Sequence, residues 1–268
     1  MNNKFKIFLL ILVVLISLIL LSYKFFIYYV KKNYKSNMTI DKKILDSKNN
    51  YYNYNNLLNE KLVILTCHYN ENLFWLNNIN YPFIIASKKV AEKTLYIPFN
   101  KGNEASCYLK YIIKYYDNLP EFTLFIHGHY IDWHQLKPLD SIINNLKFDK
   151  EYLNINSIGI DDRKECKTNP KFNDFKRVWK DIFQNELSEI NDEFFDKCCA
   201  QFLVHRNRIR LRSKQFYINI LDYIIKYDKD GHDGVVGYSL EYIWHYIFGE
   251  KNIINYNSWF KIGKYSLL

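Results

Sequence analysis

The chain has 268 residues, of which 49% are hydrophobic and 18% aromatic, and these values exclude a disordered chain because they supply a packed core. A net charge of +9 invites a nucleic-acid function, but residues 1–43 alone carry eight lysines and one acid. The rest of the chain is close to neutral, so we assign the basic character to a membrane flank and predict no nucleic-acid partner. Five cysteines without a CxxC pair do not fix the redox compartment.

An apolar segment opens the chain. Residues 7–23 carry no charge, and the apolar character resumes after Lys24 as far as Val30. A helix of this length crosses a hydrocarbon core of about 30 Å, so residues 1–35 are predicted to be a single-pass membrane anchor. A cleaved signal peptide is the alternative, but no small-residue cleavage site follows. The side of the membrane stays open, because the flanking lysines favour a cytosolic domain and the sequon Asn37-Met38-Thr39 favours a lumenal one.

The remaining chain divides into a linker and one domain. Residues 36–60 are rich in Asn, Tyr and Lys and lack an apolar period, which is typical of a polar stem or linker. Residues 61–268 are predicted to form a single globular α/β domain. Its predicted elements are, in chain order, strands in 61–71, 83–87 and 94–99, a helix from about 104 to 116, a strand in 122–129, and helices at 172–187, 214–227 and 238–250.

This alternation predicts a Rossmann-like, mostly parallel sheet flanked by helices. In such sheets, ligands bind outside the carboxyl ends of the strands. Polar clusters at residues 68–71, 100–104 and 127–134 each follow a predicted strand. We therefore expect the three clusters to converge on one cleft.

Three histidines close the fourth predicted strand. His127 and His129 are two residues apart, so on an extended strand they point to the same side, and His134 can complete the set through a turn. Imidazoles suit Zn, Fe, Cu or Ni better than Mg or Mn, and Asp132 offers one oxygen ligand. The alternative is that one histidine caps the strand and another is exposed.

Two polar turns are candidates for binding a nucleotide. After the first strand, His68, Asn70 and Glu71 can hydrogen-bond a base or ribose, or they form a turn with a helix N-cap at Asn70. Before the first long helix, Lys101 and Gly102 suit a phosphate at a helix amino terminus, or they form a plain capping turn.

Two later segments carry charged side chains at regular spacing. Arg206, Arg208 and the two arginines that alternate after them form a cationic edge for a diphosphate or an acidic glycan if the chain is extended, and an ordinary solvated surface if it is helical. Glu241 and His245 are four residues apart in a predicted helix, where they form either an acid/base pair or a hydrogen bond that orients a buried histidine.

Four motifs, CHYNENLFWL, FNKGNEASCYLKYIIKYYDNLPEFTLFIHGHYIDWH, CCAQFLVHRNRI and EYIWHYIFG, together resemble one family, domain of unknown function 3431. The resemblance runs from about Leu62 to Gly249. The positions at which the chain looks similar to that family are Asn70, Glu71, Gly102, Glu104, His127, His129, His134, the Cys-Cys-Ala-Gln-Phe run, and Glu241 with His245.

The layout also distantly resembles glycosyltransferases of the GT-A type, in which a later strand ends in an Asp-x-Asp that binds metal and donor diphosphate. This resemblance implies a nucleotide-sugar donor, a glycan or glycoconjugate acceptor, and a divalent Mn, Mg or Zn ion. Here His127-Gly128-His129 replaces the two acids, which departs from the usual Mn or Mg dependence.

The leading hypothesis is a membrane-anchored transferase of this type, with Glu104, Glu241 and His245 as catalytic residues. Two alternatives stand beside it. One is a metal-dependent hydrolase built on His127, His129 and His134. The other is a non-catalytic glycan-binding module that uses the many aromatic side chains.

Overall fold

The computed structural model describes residues 5, 11–24, 39–132, 135, 137–156, 172–183, 200–229, 231 and 234–250. The chain divides into two compact units, Met1–Asn37 and Met38–Leu268. In the first unit, residues 11–24 are helical, and much of the predicted anchor lies outside the described ranges. Within those ranges, no helix combines the length and the apolar character that crossing a membrane requires.

The second unit is built around a six-stranded sheet with the order β3-β2-β1-β4-β6-β5. Its strands are β1 (Leu62–His68), β2 (Phe83–Ser87), β3 (Leu95–Tyr96), β4 (Phe122–His127), β5 (Tyr152–Asn154) and β6 (Phe202–His205). Strand β1 pairs in parallel with both β2 and β4, and β2 pairs in parallel with β3. Strand β6 runs antiparallel to its neighbours β4 and β5. The sheet is therefore mixed, which corrects the prediction of a mostly parallel sheet.

The described helices are α1 (Lys42–Leu45), α2 (Ala105–Tyr115), α3 (Leu139–Asn144), α4 (Phe172–Phe183), α5 (Arg206–Ile209), α6 (Lys214–Tyr227), α7 (Val235–Glu241) and α8 (Trp244–Ile247). Short 3-10 helices at Phe74–Asn78 and Tyr116–Asn118 join them. The predicted helices near 104–116 and at 214–227 are confirmed. The predicted helix at 172–187 is confirmed as far as residue 183, and its last residues lie outside the described chain.

Helices cover both faces of the sheet. Alternate residues of β1 belong to two separate hydrophobic clusters: Val63 and Leu65 pack with α2, α6 and α7, whereas Leu62 and Ile64 pack with α1, α3 and the Phe74–Asn78 helix. Since both faces are buried, the strands read as continuous apolar runs rather than as alternating ones. The architecture is three layers, with the sheet in the middle.

Helix α2 illustrates how the sequence pattern sets the packing. Tyr108, Ile112 and Tyr115, the apolar face predicted from the sequence, are all buried. Tyr108 contacts Phe125 of β4 edge to face, with ring centroids 5.1 Å apart. The helix therefore lies on the sheet with its amino terminus at a fixed position over the carboxyl ends of the strands.

The predicted helix at 238–250 is divided. Helix α7 ends at Glu241, and α8 begins at Trp244. Between them, the N–H groups of Tyr242 and Ile243 each donate to the carbonyl three residues earlier, as in a 3-10 turn. The predicted stop at Gly249 is confirmed: its φ is +75°, and its N–H donates to the Tyr246 carbonyl. A left-handed glycine just past the last turn is a common helix terminator.

Packing begins before residue 61. Within the predicted stem, Ile40, Ile44 and Leu45 join one hydrophobic cluster, and Leu57 joins the other. Asn50 forms a parallel bridge to Phe83 of β2. Although residues 36–60 are polar in composition, this segment therefore packs against the domain from residue 40 onward.

Candidate functional site

The sheet order creates a crevice between the carboxyl ends of β1 and β4. From β1 the chain proceeds to β2 on one side, while β4 pairs with the other side of β1, with Cys67 opposite His127. This reversal of strand order is a topological switch point, where open α/β sheets bind ligands. Two of the predicted polar clusters, 68–71 and 127–134, begin at this crevice.

Glu71 occupies one side of the crevice and is held by the backbone beside it. Its Oε2 accepts hydrogen bonds from the N–H groups of Tyr69 (2.6 Å) and Asn70 (3.0 Å). Its Oε1 lies 3.8 Å from His129 Nε2. The carboxylate is therefore fixed at the end of β1 and faces the histidine that follows β4.

Glu104 and His127 form a second carboxylate–imidazole pair. Glu104 precedes α2, and its Oε2 lies 3.9 Å from His127 Nε2 at the end of β4. Burial is the main reason that the pKa of Glu104 is raised, to about 7, and the charge of Glu71 raises it further. A backbone hydrogen bond and the charge of Lys88 oppose this shift. The third predicted cluster thus meets the other two, as the sequence predicts.

Lys88 belongs to the same group of residues, although the sequence reading missed it. It follows β2 directly and is 8% exposed, and its Nζ donates to the backbone carbonyls of Lys101 (3.0 Å) and Asn103. The signal was available, because Lys88 stands at the end of a predicted strand as the other site residues do. It holds the turn that precedes Glu104.

Close packing sets the positions of the strand ends. A methyl group on Gly128 would lie 2.8 Å from Glu71 Cβ and 2.9 Å from the Cys67 carbonyl oxygen. The Gly128 carbonyl accepts a 3.0 Å hydrogen bond from Trp75 Nε1. A disulfide joins Cys67 to Cys107 in α2, so the end of β1 is also tied to the helix that follows Glu104. The glycine between the two histidines is thus required by space.

Gln201 reaches the site because β6 runs antiparallel. It precedes β6, and its Oε1 accepts a 3.2 Å hydrogen bond from the His127 N–H. Its Nε2 donates to Asn156. The Cys-Cys-Ala-Gln-Phe motif contains this residue, but the sequence gives no sign of the strand direction that brings it to His127.

His68 is a buried residue that contacts the neighbouring strand. It is fully buried, and its Nδ1 lies 2.9 Å from Ser87 Oγ of the neighbouring strand β2. Asn70, by contrast, lies at the crevice beside Glu71. Of the three residues predicted to bind a nucleotide after β1, Asn70 and Glu71 therefore line the crevice, and His68 links two strands beneath it.

The groups predicted to bind a phosphate, at Lys101 and Gly102, donate hydrogen bonds to other parts of the protein. Lys101 Nζ donates to the Ile225 carbonyl (2.8 Å), and the Gly102 N–H donates to Asp228 Oδ2 (3.0 Å). Gly102 has a φ of +71°, and Gly237 packs so closely that a methyl group there would lie 2.6 Å from the Gly102 carbonyl carbon. The structure therefore supports the alternative, a capping and packing turn, at this position.

Arg206 and Arg208 lie at the opposite edge of the sheet. His205, which precedes them, is in register with Phe122, the first residue of β4. Arg208 Nε donates to Glu151 (2.9 Å), and the segment 206–209 is helical. The structure therefore shows the helical alternative for this segment, and neither arginine joins the His127 site, because an antiparallel β6 carries them away from the crevice.

Glu241 and His245 belong to different helices. Glu241 is the last residue of α7, and His245 lies in α8, where it is 4% exposed and its ring lies 4.0 Å from that of Tyr246. The predicted continuous helix through both residues is therefore wrong, and their acid/base role stays a prediction. Burial is the main reason that the pKa of Tyr108 is raised, and the charges of Glu104 and Glu241 raise it further, which places both carboxylates near α2.

The predicted metal set is divided between two carboxylates. Strand β4 ends at His127, so His129 is not on the strand; one histidine faces Glu104, and the other faces Glu71. Across the part of the chain that the structure describes, no group of three or more His, Cys, Asp or Glu side chains is arranged to hold a metal ion. Asp132 is described, whereas His134 lies outside the described residues. The described residues thus do not form a complete metal site.

The fold and the site together define an α/β protein with a polar, carboxylate-rich crevice at the switch point of a mixed sheet. The chain belongs to a family described as protein of unknown function (DUF3431), whose model matches residues 62–259. A comparison with curated proteins found no match, and a comparison with solved structures found none either. The predicted family is confirmed, and the comparisons give no support to the resemblance to GT-A glycosyltransferases.

Proposed function

We propose that the protein is a transferase that moves a sugar from a nucleotide-sugar donor to a glycan or glycoconjugate acceptor at the crevice between β1 and β4. One observation carries the proposal. Glu104, a buried carboxyl with a pKa of about 7, lies beside His127 at the switch point. Perturbed carboxyls in such clefts are candidates for acid/base work, and a base of this pKa functions near neutral pH.

In this proposal, Glu104 acts as the general base. An acceptor hydroxyl gives its proton to the Glu104 carboxylate, its oxygen bonds to the anomeric carbon of the donor sugar, and the bond from that carbon to the diphosphate oxygen breaks. His127 lies close enough to stabilise the carboxylate before the transfer. Since the described residues do not complete a metal site, no step is assigned to a metal, and the predicted Mn, Mg or Zn remains a prediction.

The test is a thermal-shift panel on the full-length protein at pH 7 with UDP-, GDP- and CMP-sugars, each with and without Mn, Mg or Zn. A ligand at about 100 times its Kd stabilises the native state by roughly 2.7 kcal/mol, which is easily resolved. Selective stabilisation by one nucleotide sugar supports the proposal. Product formation should then fall by about 100-fold or more in Glu104→Gln, because the amide cannot accept the proton.

Other outcomes would replace the proposal. Stabilisation by Zn alone, together with hydrolysis of an ester or a phosphate, favours the hydrolase alternative. Stabilisation by glycans without turnover and without any nucleotide effect favours the glycan-binding module. The membrane anchor at residues 1–35 is independent of all three and stays a prediction.

A further inference from the structure

Three buried oxygen atoms at the crevice have no hydrogen-bond donor among the residues that the structure describes. They are Asn70 Oδ1, Asn103 Oδ1 and Glu104 Oε1, which we name the oxygen cluster. Asn70 is next to Glu71 at the end of β1, and Asn103 and Glu104 lie in the turn before α2. Buried acceptors in native proteins are almost always satisfied, so an unsatisfied group of this kind indicates a missing donor.

The backbone N–H and ammonium groups that could bind an anion at this edge are engaged within the protein. The N–H groups of Tyr69 and Asn70 donate to Glu71, and that of Gly102 donates to Asp228. The ammonium groups of Lys88 and Lys101 donate to backbone carbonyls. A phosphate placed here would meet the carboxylates of Glu71 and Glu104 with these donors already in use. The imidazoles of His127 and His129 apart, the edge therefore offers acceptors to a ligand rather than donors.

We propose that the oxygen cluster binds the hydroxyl-rich sugar portion of the substrate, whose O–H groups donate to these three oxygens, and that the phosphate groups bind elsewhere. Sugar hydroxyls are neutral and supply several donors within a few ångströms, which matches a set of acceptors beside two carboxylates. The inference rests on the proposed function only for the role of that sugar as a substrate. Binding of the sugar itself does not depend on turnover.

The experiment measures binding of methyl glycosides of glucose, galactose and mannose to the full-length protein by titration calorimetry or ligand-observed NMR at pH 7. Monodeoxyfluoro analogues replace one hydroxyl donor by fluorine, and inorganic pyrophosphate probes the anion. Loss of one hydrogen bond of about 1.4 kcal/mol corresponds to a tenfold weaker affinity. We expect about tenfold weaker glycoside binding in Asn70→Ala and in at least one deoxyfluoro analogue.

Asn145→Ala is the matched control. Asn145 is exposed at the end of α3, and its side chain donates only within that helix, to the Ser141 carbonyl. It should leave glycoside binding unchanged. A urea unfolding curve accompanies each variant, and Asn70→Ala should not lower the stability, because its Oδ1 has no donor among the described residues to lose.

Each outcome separates the two proposals. If a nucleotide sugar stabilises the protein but Asn70→Ala and the deoxyfluoro analogues bind normally, the transferase proposal stands and the oxygen-cluster assignment is overturned. If methyl glycosides bind with the expected losses and no nucleotide sugar has an effect, the sugar assignment stands and the transferase proposal fails. Competition of pyrophosphate with the glycoside, weakened by Asn70→Ala, also overturns the assignment.

Discussion

Glu104 Oε2 and His127 Nε2 lie 3.9 Å apart, and the two residues come from different elements of the fold. Glu104 is placed by the turn before α2, which Lys88 and Asp228 hold through the backbone. His127 is placed by β4, whose last N–H is held by Gln201. The distance between the two side chains therefore depends on the alignment of helix α2 with the sheet.

The first prediction concerns Glu104 and pH. Its folded-state pKa is about 7 against 4.5 for an unperturbed glutamate, so between these values the folded protein keeps a proton that the unfolded chain releases. The unfolded state then binds fewer protons, and the free energy of unfolding falls as pH rises from about 4.5 to 7. The contribution of this one group is roughly 3 kcal/mol, since each pKa unit corresponds to about 1.4 kcal/mol.

The measurement is urea unfolding of the wild type and of Glu104→Gln at pH 5, 6, 7 and 8. The amide cannot ionise, so the variant should gain stability relative to the wild type across this range. Glu92→Gln, which alters a carboxylate on the exposed surface, should follow the wild type at every pH. A constant difference between Glu104→Gln and the wild type would contradict the raised pKa.

The second prediction concerns the carboxylate that holds the turn before Glu104. Asp228 is 5% exposed and accepts backbone hydrogen bonds from Gly102 (3.0 Å), Val236 (3.1 Å) and Gly237 (3.2 Å). Asp228→Asn turns an NH₂ group toward at least one of these donors, so we expect a loss of about 2–4 kcal/mol in unfolding free energy. Asp222→Asn, on the exposed side of α6, should cost less than about 0.5 kcal/mol. Equal stability of the two variants in urea would show that the Asp228 carboxylate does not hold the turn before Glu104.

Much of the fold is predictable because continuous apolar runs and helical periods are strong local signals. The first, second and fourth strands and the helices α2 and α6 follow from them directly. Strands β5 and β6 were not predicted, since Tyr152–Asn154 and Phe202–His205 are too short to give a clear strand pattern. The direction of β6 is a tertiary property, so its reversal and the mixed sheet could not be derived from local pattern.

The site was predictable to the extent that it lies at strand ends. Glu71, Glu104, His127 and His129 meet because parallel strands place their ends at one edge. The phosphate role of Gly102 was not supported, because the competing partner, Asp228, is distant in sequence. The continuous helix through Glu241 and His245 was not predictable as a broken one, since the break between them contains no Gly or Pro.

The third prediction concerns space at Gly128. A methyl group there would lie 2.8 Å from Glu71 Cβ, so Gly128→Ala should cost about 1–3 kcal/mol and shift the His129 ring signals in NMR spectra. Gly231→Ala adds the same methyl group with no atom within 4 Å, but at a φ of +101°. Its cost of about 1 kcal/mol is conformational and should leave His129 unchanged. Unaltered His129 signals in Gly128→Ala would show that the close contact does not position Glu71.

The last prediction compares two histidines in similar surroundings at opposite edges of the sheet. The side chains of His127 and His205 are each 17% exposed, and each lies within 4 Å of a carboxylate, Glu104 and Glu151 respectively. If the crevice between β1 and β4 binds the nucleotide sugar, the ligand-induced thermal shift should be lost in His127→Ala and kept in His205→Ala.

Without ligand, both variants lose a partly exposed imidazole, and His205→Ala also loses the hydrogen bond that His205 Nδ1 accepts from the Asn207 N–H at the start of α5. We therefore expect His205→Ala to cost about 1 kcal/mol more than His127→Ala. His129→Ala, whose side chain is 52% exposed, should weaken the ligand-induced shift without destabilising the fold. A full shift in both His127→Ala and His129→Ala would place the binding site away from this crevice. A shift lost only in His205→Ala would move it to the opposite edge, where Arg206 and Arg208 lie.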